Sequence, residues 1–124
     1  MATDADVRRI CRALPEIEED SDTLGFGVRG KGFAWLWQER VTPKKPRVPR
    51  PDVLAIRTPD QAVKQSLLDA DPDVYFTEPH YNGFPAVLVR LAAIEPDELA
   101  ELLIDGWRAM APKTLVREYD AAAE

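Results

Sequence analysis

Val7, Ile10, Cys11 and Leu14 recur at i, i+3, i+4 and i+7, with Thr3 placed to cap the run and Asp6 three residues after it, before Pro15. That spacing predicts a short amphipathic helix. Glu16, Glu18, Glu19, Asp20 and Asp22 crowd the next segment, where mutual repulsion and poor burial predict a solvated turn. Residues 23–28 and 33–38 are aromatic and apolar and flank Arg29-Gly30-Lys31-Gly32, which predicts two strands joined by a glycine-bearing turn. Two-residue alternation puts Phe33, Trp35 and Trp37 on one face of the second strand.

Residues 41–51 carry prolines at 43, 46, 49 and 51 with basic residues between them. Proline lacks the amide that a sheet ladder needs, so the segment is expected to be an exposed, polyproline-like connector outside the sheet. Val53-Leu54-Ala55-Ile56 is apolar on both faces and predicts a central strand. Thr58 is expected to cap a helix with Pro59 at its first position. Its buried stripe would be Val63, Ser66, Leu67 and Ala70, and Asp71-Pro72 would stop it. Two strands, 74–77 and 86–91, flank the irregular stretch 78–85 with its Asn82-Gly83 and two prolines. Pro96, Asp97 and Glu98 open a last helix whose face is Leu99, Leu102, Leu103, Trp107 and Met110, ending at Pro112. The order helix, three strands, helix, two strands, helix predicts a two-layer α+β domain spanning 1–124. Its sheet would be mostly antiparallel and five-stranded, with the helices packed on one face.

A chain of 124 residues fits one domain that buries roughly two-thirds of its unfolded surface, which excludes a multidomain enzyme. The longest apolar runs are too short to cross a bilayer, so no membrane partner is expected. The acidic, polar start lacks the basic and apolar regions of a secretory signal, so the expected compartment is the cytoplasm. With one cysteine and one histidine, neither an internal disulfide nor a Cys/His zinc site is available, and no cofactor is expected. The net charge of −6 hides an asymmetry, because the stretch from position 29 to 50 carries seven basic residues against Glu39 alone. The acidic remainder argues against a generic polyanion binder and leaves room for a local basic site.

The chain resembles the MmcQ/YjbR family of small bacterial proteins. The likeness runs through Ala13-Leu14-Pro15 and the acidic segment after it, then Phe26-Gly27-Val28-Arg29-Gly30-Lys31-Gly32-Phe33-Ala34. It continues through Pro79-His80-Tyr81-Asn82-Gly83-Phe84-Pro85 into Ala86-Val87-Leu88-Val89-Arg90-Leu91, and closes on Asp97-Glu98-Leu99-Ala100-Glu101-Leu102-Leu103 and Trp107-Arg108-Ala109-Met110-Ala111-Pro112-Lys113. The resemblance implies a compact α+β domain. Members are often labelled DNA-binding, by comparison of their hairpins to paired wings, and the family offers no catalytic motif to carry over. The proline-rich connector is longer here than the family pattern.

Gly25-Phe26-Gly27-Val28-Arg29-Gly30 matches G-x-G-x-x-G, but a dinucleotide fingerprint must open a helix, and here a strand follows. A glycine-bearing hairpin is the better reading. His80 near Glu78 could serve as a base, yet lacks a nucleophile partner. With Tyr81 and Trp107 it is expected to line a pocket. Cys11 falls on the apolar stripe and reads as a packed hydrophobe. The acid run does not have the spacing of an EF-hand and reads as a solvated face. The leading hypothesis is a non-enzymatic domain that binds nucleic acid, DNA in particular, through Arg29, Lys31, Arg40, Lys44, Lys45, Arg47 and Arg50, with flanking aromatic residues stacking on bases. The alternative is a protein-interaction or small-ligand module. It would use Pro43, Pro46 and Pro49, which fall at the polyproline period, or the His80 pocket.

Overall fold

The computed structural model describes residues 1–123 apart from residue 42. Helix α1 (Asp4–Arg12) opens on the expected capping box: Asp6 N donates to Thr3 Oγ1, and Thr3 N donates back to the Asp6 carboxylate at 2.9 Å. Strands β1 (Ile17–Glu19), β2 (Gly25–Val28), β3 (Lys31–Glu39) and β4 (Val48–Arg57) follow. Next come helix α2 (Gln61–Ala70), strand β5 (Tyr75–Phe76), a 3₁₀ turn at Pro79–Tyr81 and strand β6 (Ala86–Arg90). A second 3₁₀ turn at Leu91–Ala93 leads to helices α3 (Pro96–Met110) and α4 (Lys113–Ala123). The strands lie in the order β1-β2-β3-β4-β6-β5, each pair antiparallel. The α+β class is as expected, with six strands and four helices in place of five and three.

The extra strand comes from the acidic segment, expected to be a turn. Ile17 pairs with Val28 over the core, and the charges around it find partners that only the fold supplies. Glu19 receives two hydrogen bonds from Arg12, Glu16 two from Arg29, and Glu18 one from the Gly30 amide. The turn between β2 and β3 is the two-residue Arg29-Gly30, with φ of 51° and 79°, as a tight hairpin of right-twisted strands requires.

Phe33 does not share a face with Trp35 and Trp37. Phe26 pairs with Ala34 and Gly27 with Gly32, which leaves Phe33 as an unpaired bulge residue that turns into the helix-covered core. The connector is not wholly outside the sheet either. Residues 48–50 pair with β3 (Trp37 with Arg50, Gln38 with Pro49, Glu39 with Val48), and Pro51 falls in the register shift that follows. Strand β6 reaches only as far as Val53, so the prolines occupy an open edge and a bulge, where a missing amide leaves no neighbour unsatisfied.

Helix α2 is capped by Asp60, whose carboxylate accepts from Val63 N, while the Thr58 hydroxyl donates to the Asp60 carbonyl. Ser66 and Ala70 are exposed, and the buried residue of this helix is Lys64. Pro112 both ends α3 and starts α4, its carbonyl accepting from Val116 N. Leu115, Val116 and Tyr119 then pack α4 onto the core, Tyr119 lying 5.1 Å from Trp107 between ring centroids.

Leu54, Ile56, Val87 and Val89 face the helices. Val53, Ala55, Ala86 and Leu88 alternate with them and face the other way. Gly106 lets α3 approach β4 closely, since a Cβ there would lie 3.1 Å from the Arg57 carbonyl oxygen.

Candidate nucleic-acid interface

Directly opposed residues of antiparallel strands share a face, so the register fixes what the second side of the sheet displays. Trp37 opposes Arg50, Val53 opposes Arg90 and Arg57 opposes Ala86. Because Trp37, Val53 and Ala86 belong to the cluster away from the helical core, three arginines lie on that face with Trp35, Trp37 and Phe76. The segment 78–84 folds over its middle. Half-buried Trp35 donates its indole N–H to the Tyr81 hydroxyl at 3.1 Å, and Tyr81 meets His80 and Phe84 edge-on at 5.6 and 6.2 Å. Arg57 sits over the Phe84 ring at 4.5 Å and Arg90 over Phe76 at 4.1 Å, pre-oriented by cation–π attraction. Trp35, His80, Tyr81 and Phe84 line a cavity of about 360 Å³.

The overlying segment is pinned from below by Lys64, which is 4% exposed and donates through Nζ to the Tyr81 carbonyl at 2.5 Å and the Phe84 carbonyl at 2.8 Å. Burial of the ammonium pushes its pKa below the ordinary lysine value. Nothing in the sequence distinguishes this lysine from a solvated helix position.

The seven basic residues singled out by the sequence do not form one patch. Arg29 and Lys31 stand at the start of β3, whereas Arg40, Lys44, Lys45, Arg47 and Arg50 stand at its far end, about 27 Å away at the rise of an extended strand. Arg29 is held by Glu16, with N···O distances of 2.5 and 2.9 Å, and this pairing keeps the Glu16 carboxyl below its usual pKa. Arg40 and Arg47 donate to the Lys45 and Gln38 carbonyls, and Arg50 Nε lies 2.6 Å from Glu39. Lys31, Lys44 and Lys45 are exposed and make no ion pair among the described residues.

Trp107 does not line the His80 pocket. It is fully buried in the helical core, where its indole N–H donates to the Pro15 carbonyl at 3.1 Å, and Trp35 takes the expected place beside His80. His80 and Tyr81 both line that cavity. Arg57 and Arg90 were missed as site residues because they join the face only through strand register, and Phe84 because it reaches the face only through the fold of the 78–84 segment. Cys11 is buried in the helical core and its thiol is pushed up to about 12 by desolvation. No group of three metal-ligating side chains occurs among the described residues, and no helix among them is long and apolar enough to cross a membrane.

A model of the YjbR family matches residues 12–109. The chain belongs to the YjbR family. Among its relatives are the uncharacterized protein Rv2570 of Mycobacterium tuberculosis and the uncharacterized protein Mb2600 of Mycobacterium bovis. Each is 40% identical over 125 residues, covering 96% of this chain and 96% of the relative. The crystal structure of Deinococcus radiodurans protein DR2400, described as carrying domain DUF419, is similar in fold. Its TM-score is 0.63 at 24% identity, over 86% of this chain and 76% of that one.

Proposed function

We propose that this YjbR-family chain is a non-enzymatic nucleic-acid-binding domain, DNA being the first ligand to test. In this reading it seats a single strand across the helix-free face of its sheet, with the β3–β4 loop gripping the backbone at one end. One observation carries the reading: the strand register gathers Arg50, Arg57 and Arg90 with the half-buried rings of Trp35 and Phe76 on the one sheet face that no helix covers. Aromatic rings stack on bases whatever the sequence, and cations beside them neutralise phosphates. Lys44, Lys45 and Arg47 extend the positive potential past the sheet, so a local field exists on a molecule whose net charge is −6.

The cavity beside His80 supports a second reading, a small-molecule ligand bound between Trp35 and Phe84. Fluorescence anisotropy of short labelled single- and double-stranded DNA, across a salt series, separates the two. Four engaged phosphates on a single strand give a log–log slope of about −3. The triple reversal Lys44→Glu, Lys45→Glu, Arg47→Glu should abolish binding to all sequences alike. A saturable pocket ligand would be indifferent to that change. No DNA binding at low salt would refute the nucleic-acid reading.

A further inference from the structure

The helix-free face has a second concavity, a groove of about 330 Å³ over β1, β2 and β3. Its floor is backbone, because Gly25 and Gly32 project no side chain into it and Gly27 packs so close to β3 that a Cβ would lie 2.9 Å from the Lys31 carbonyl oxygen. Gly27 opposes Gly32, and Gly25 opposes Trp35. A Cβ on Gly32 would come 3.9 Å from Trp35 Cε3, so the missing side chain leaves the indole bare as one wall. The opposite wall is acidic. Glu18 opposes Gly27 across the strand pair, and Asp20 follows it with its amide bonded to the Gly25 carbonyl. Glu18 Oε1 accepts from Gly30 N, and Asp20 Oδ1 accepts from the amides of Asp22 and Thr23. Each carboxylate thus has one oxygen fixed by backbone amides, while Glu18 Oε2 and Asp20 Oδ2 make no hydrogen bond among the described residues. Lys31 closes the hairpin end.

A flat backbone floor, an aromatic wall, a carboxylate wall and one ammonium together select a planar ring with amino donors on one edge and an acceptor beside them. Carboxylates only accept, and lysine only donates. Cytosine presents a 4-amino donor next to acceptors N3 and O2, which suits that set. Thymine presents O4 where the amino group would be and offers the two carboxylates a single donor, N3–H, in place of the two hydrogens of an amino group. We propose that this groove reads a single unstacked base by its amino-bearing edge and favours cytosine over thymine. The inference rests on the nucleic-acid reading above and adds base selectivity to it.

The test compares labelled dC10 and dT10, pyrimidines of equal ring size, in anisotropy titrations at fixed salt. The wild type should bind dC10 about tenfold more tightly, the discrimination of one well-placed contact. Glu18→Gln keeps an oxygen for the Gly30 amide, adds a donor that can meet thymine O4, and should bring the ratio near one. Gly32→Leu fills the groove from a strand position without positive φ and should also erase the preference. Circular dichroism and thermal melting would verify that both variants fold. Equal wild-type affinity for dC10 and dT10, with both bound in a salt-dependent way, overturns the inference and leaves the nucleic-acid reading standing. A cytosine preference that survives both folded variants overturns the assignment to this groove. Binding of neither oligonucleotide overturns the nucleic-acid reading and this inference with it.

Discussion

Replacing Lys64 by methionine should loosen the segment that carries His80, Tyr81 and Phe84 while keeping most of the buried stem. Lys64 is 4% exposed, and its ammonium bonds two backbone carbonyls at 2.5 and 2.8 Å. Hydrogen bonds to a charged donor contribute about 1.5–3 kcal/mol each, so the pair amounts to about 3–6 kcal/mol. Relief of the buried ammonium's desolvation returns part of this, as does access of water to the less buried Phe84 carbonyl. The expected net loss is therefore about 2–3 kcal/mol, or a Tm lower by roughly 6–15 °C for a domain of this size. Urea titration should show a lower midpoint at unchanged m-value, and hydrogen exchange should accelerate at the Phe84 and Ala86 amides. The effect also has a sign in pH. Because the folded-state pKa of Lys64 lies below the ordinary 10.5, the unfolded chain binds more protons, and stability rises with pH between the folded and ordinary values. The gap between wild type and Lys64→Met should therefore widen from neutral to alkaline pH. A loss below about 0.5 kcal/mol with unchanged exchange in the 78–86 segment would refute the role given to these two bonds.

Gly106→Ala should cost about 1 kcal/mol by urea titration. The helix-propensity gain of about 0.5–1 kcal/mol is outweighed by about 1–3 kcal/mol of overpacking, because the new Cβ would lie 3.1 Å from the Arg57 carbonyl oxygen and 3.2 Å from Ile56 Cγ2. A stabilised variant would mean that α3 has more room over β4 than these distances allow. The Glu16 carboxyl, held low by its hydrogen bonds to Arg29 and then by that residue's charge, should titrate below the ordinary 4.5 and return toward it in Arg29→Ala, as read by carboxyl-carbon NMR shifts. Since its folded pKa is depressed, the stabilisation of the hairpin tip is present above 4.5 and is lost as pH falls through the folded value. Identical titration in the two proteins would show that the ion pair does not persist in solution.

Local chemistry was legible wherever a few neighbouring residues decide the outcome. The capping box of α1, the glycine-bearing hairpin and the stripe of α3 all appear as their spacing predicts, because each depends on contacts within a few positions of the chain. The misreadings share one origin. The acidic segment becomes β1 because Arg12 and Arg29 approach it from elsewhere. Prolines enter β4 because β6 stops at Val53, and α4 forms because α3 offers Trp107 for Tyr119 to pack on.

The candidate site divides in the same way. Composition and charge asymmetry pointed to a basic segment, and His80 and Tyr81 were recognised as neighbours in an irregular stretch. The fold decided that Trp107 belongs to the helical core and that Trp35 joins His80. For Trp35 the reason is strand parity. Side chains alternate faces with a period of two, so the single bulge at Phe33 reassigns the residues after it. Capping, the hairpin turn, the apolar stripe of α3 and the charge of each segment were readable from neighbouring residues alone. Which side chains share a surface was decided only when six strands fixed their register against one another.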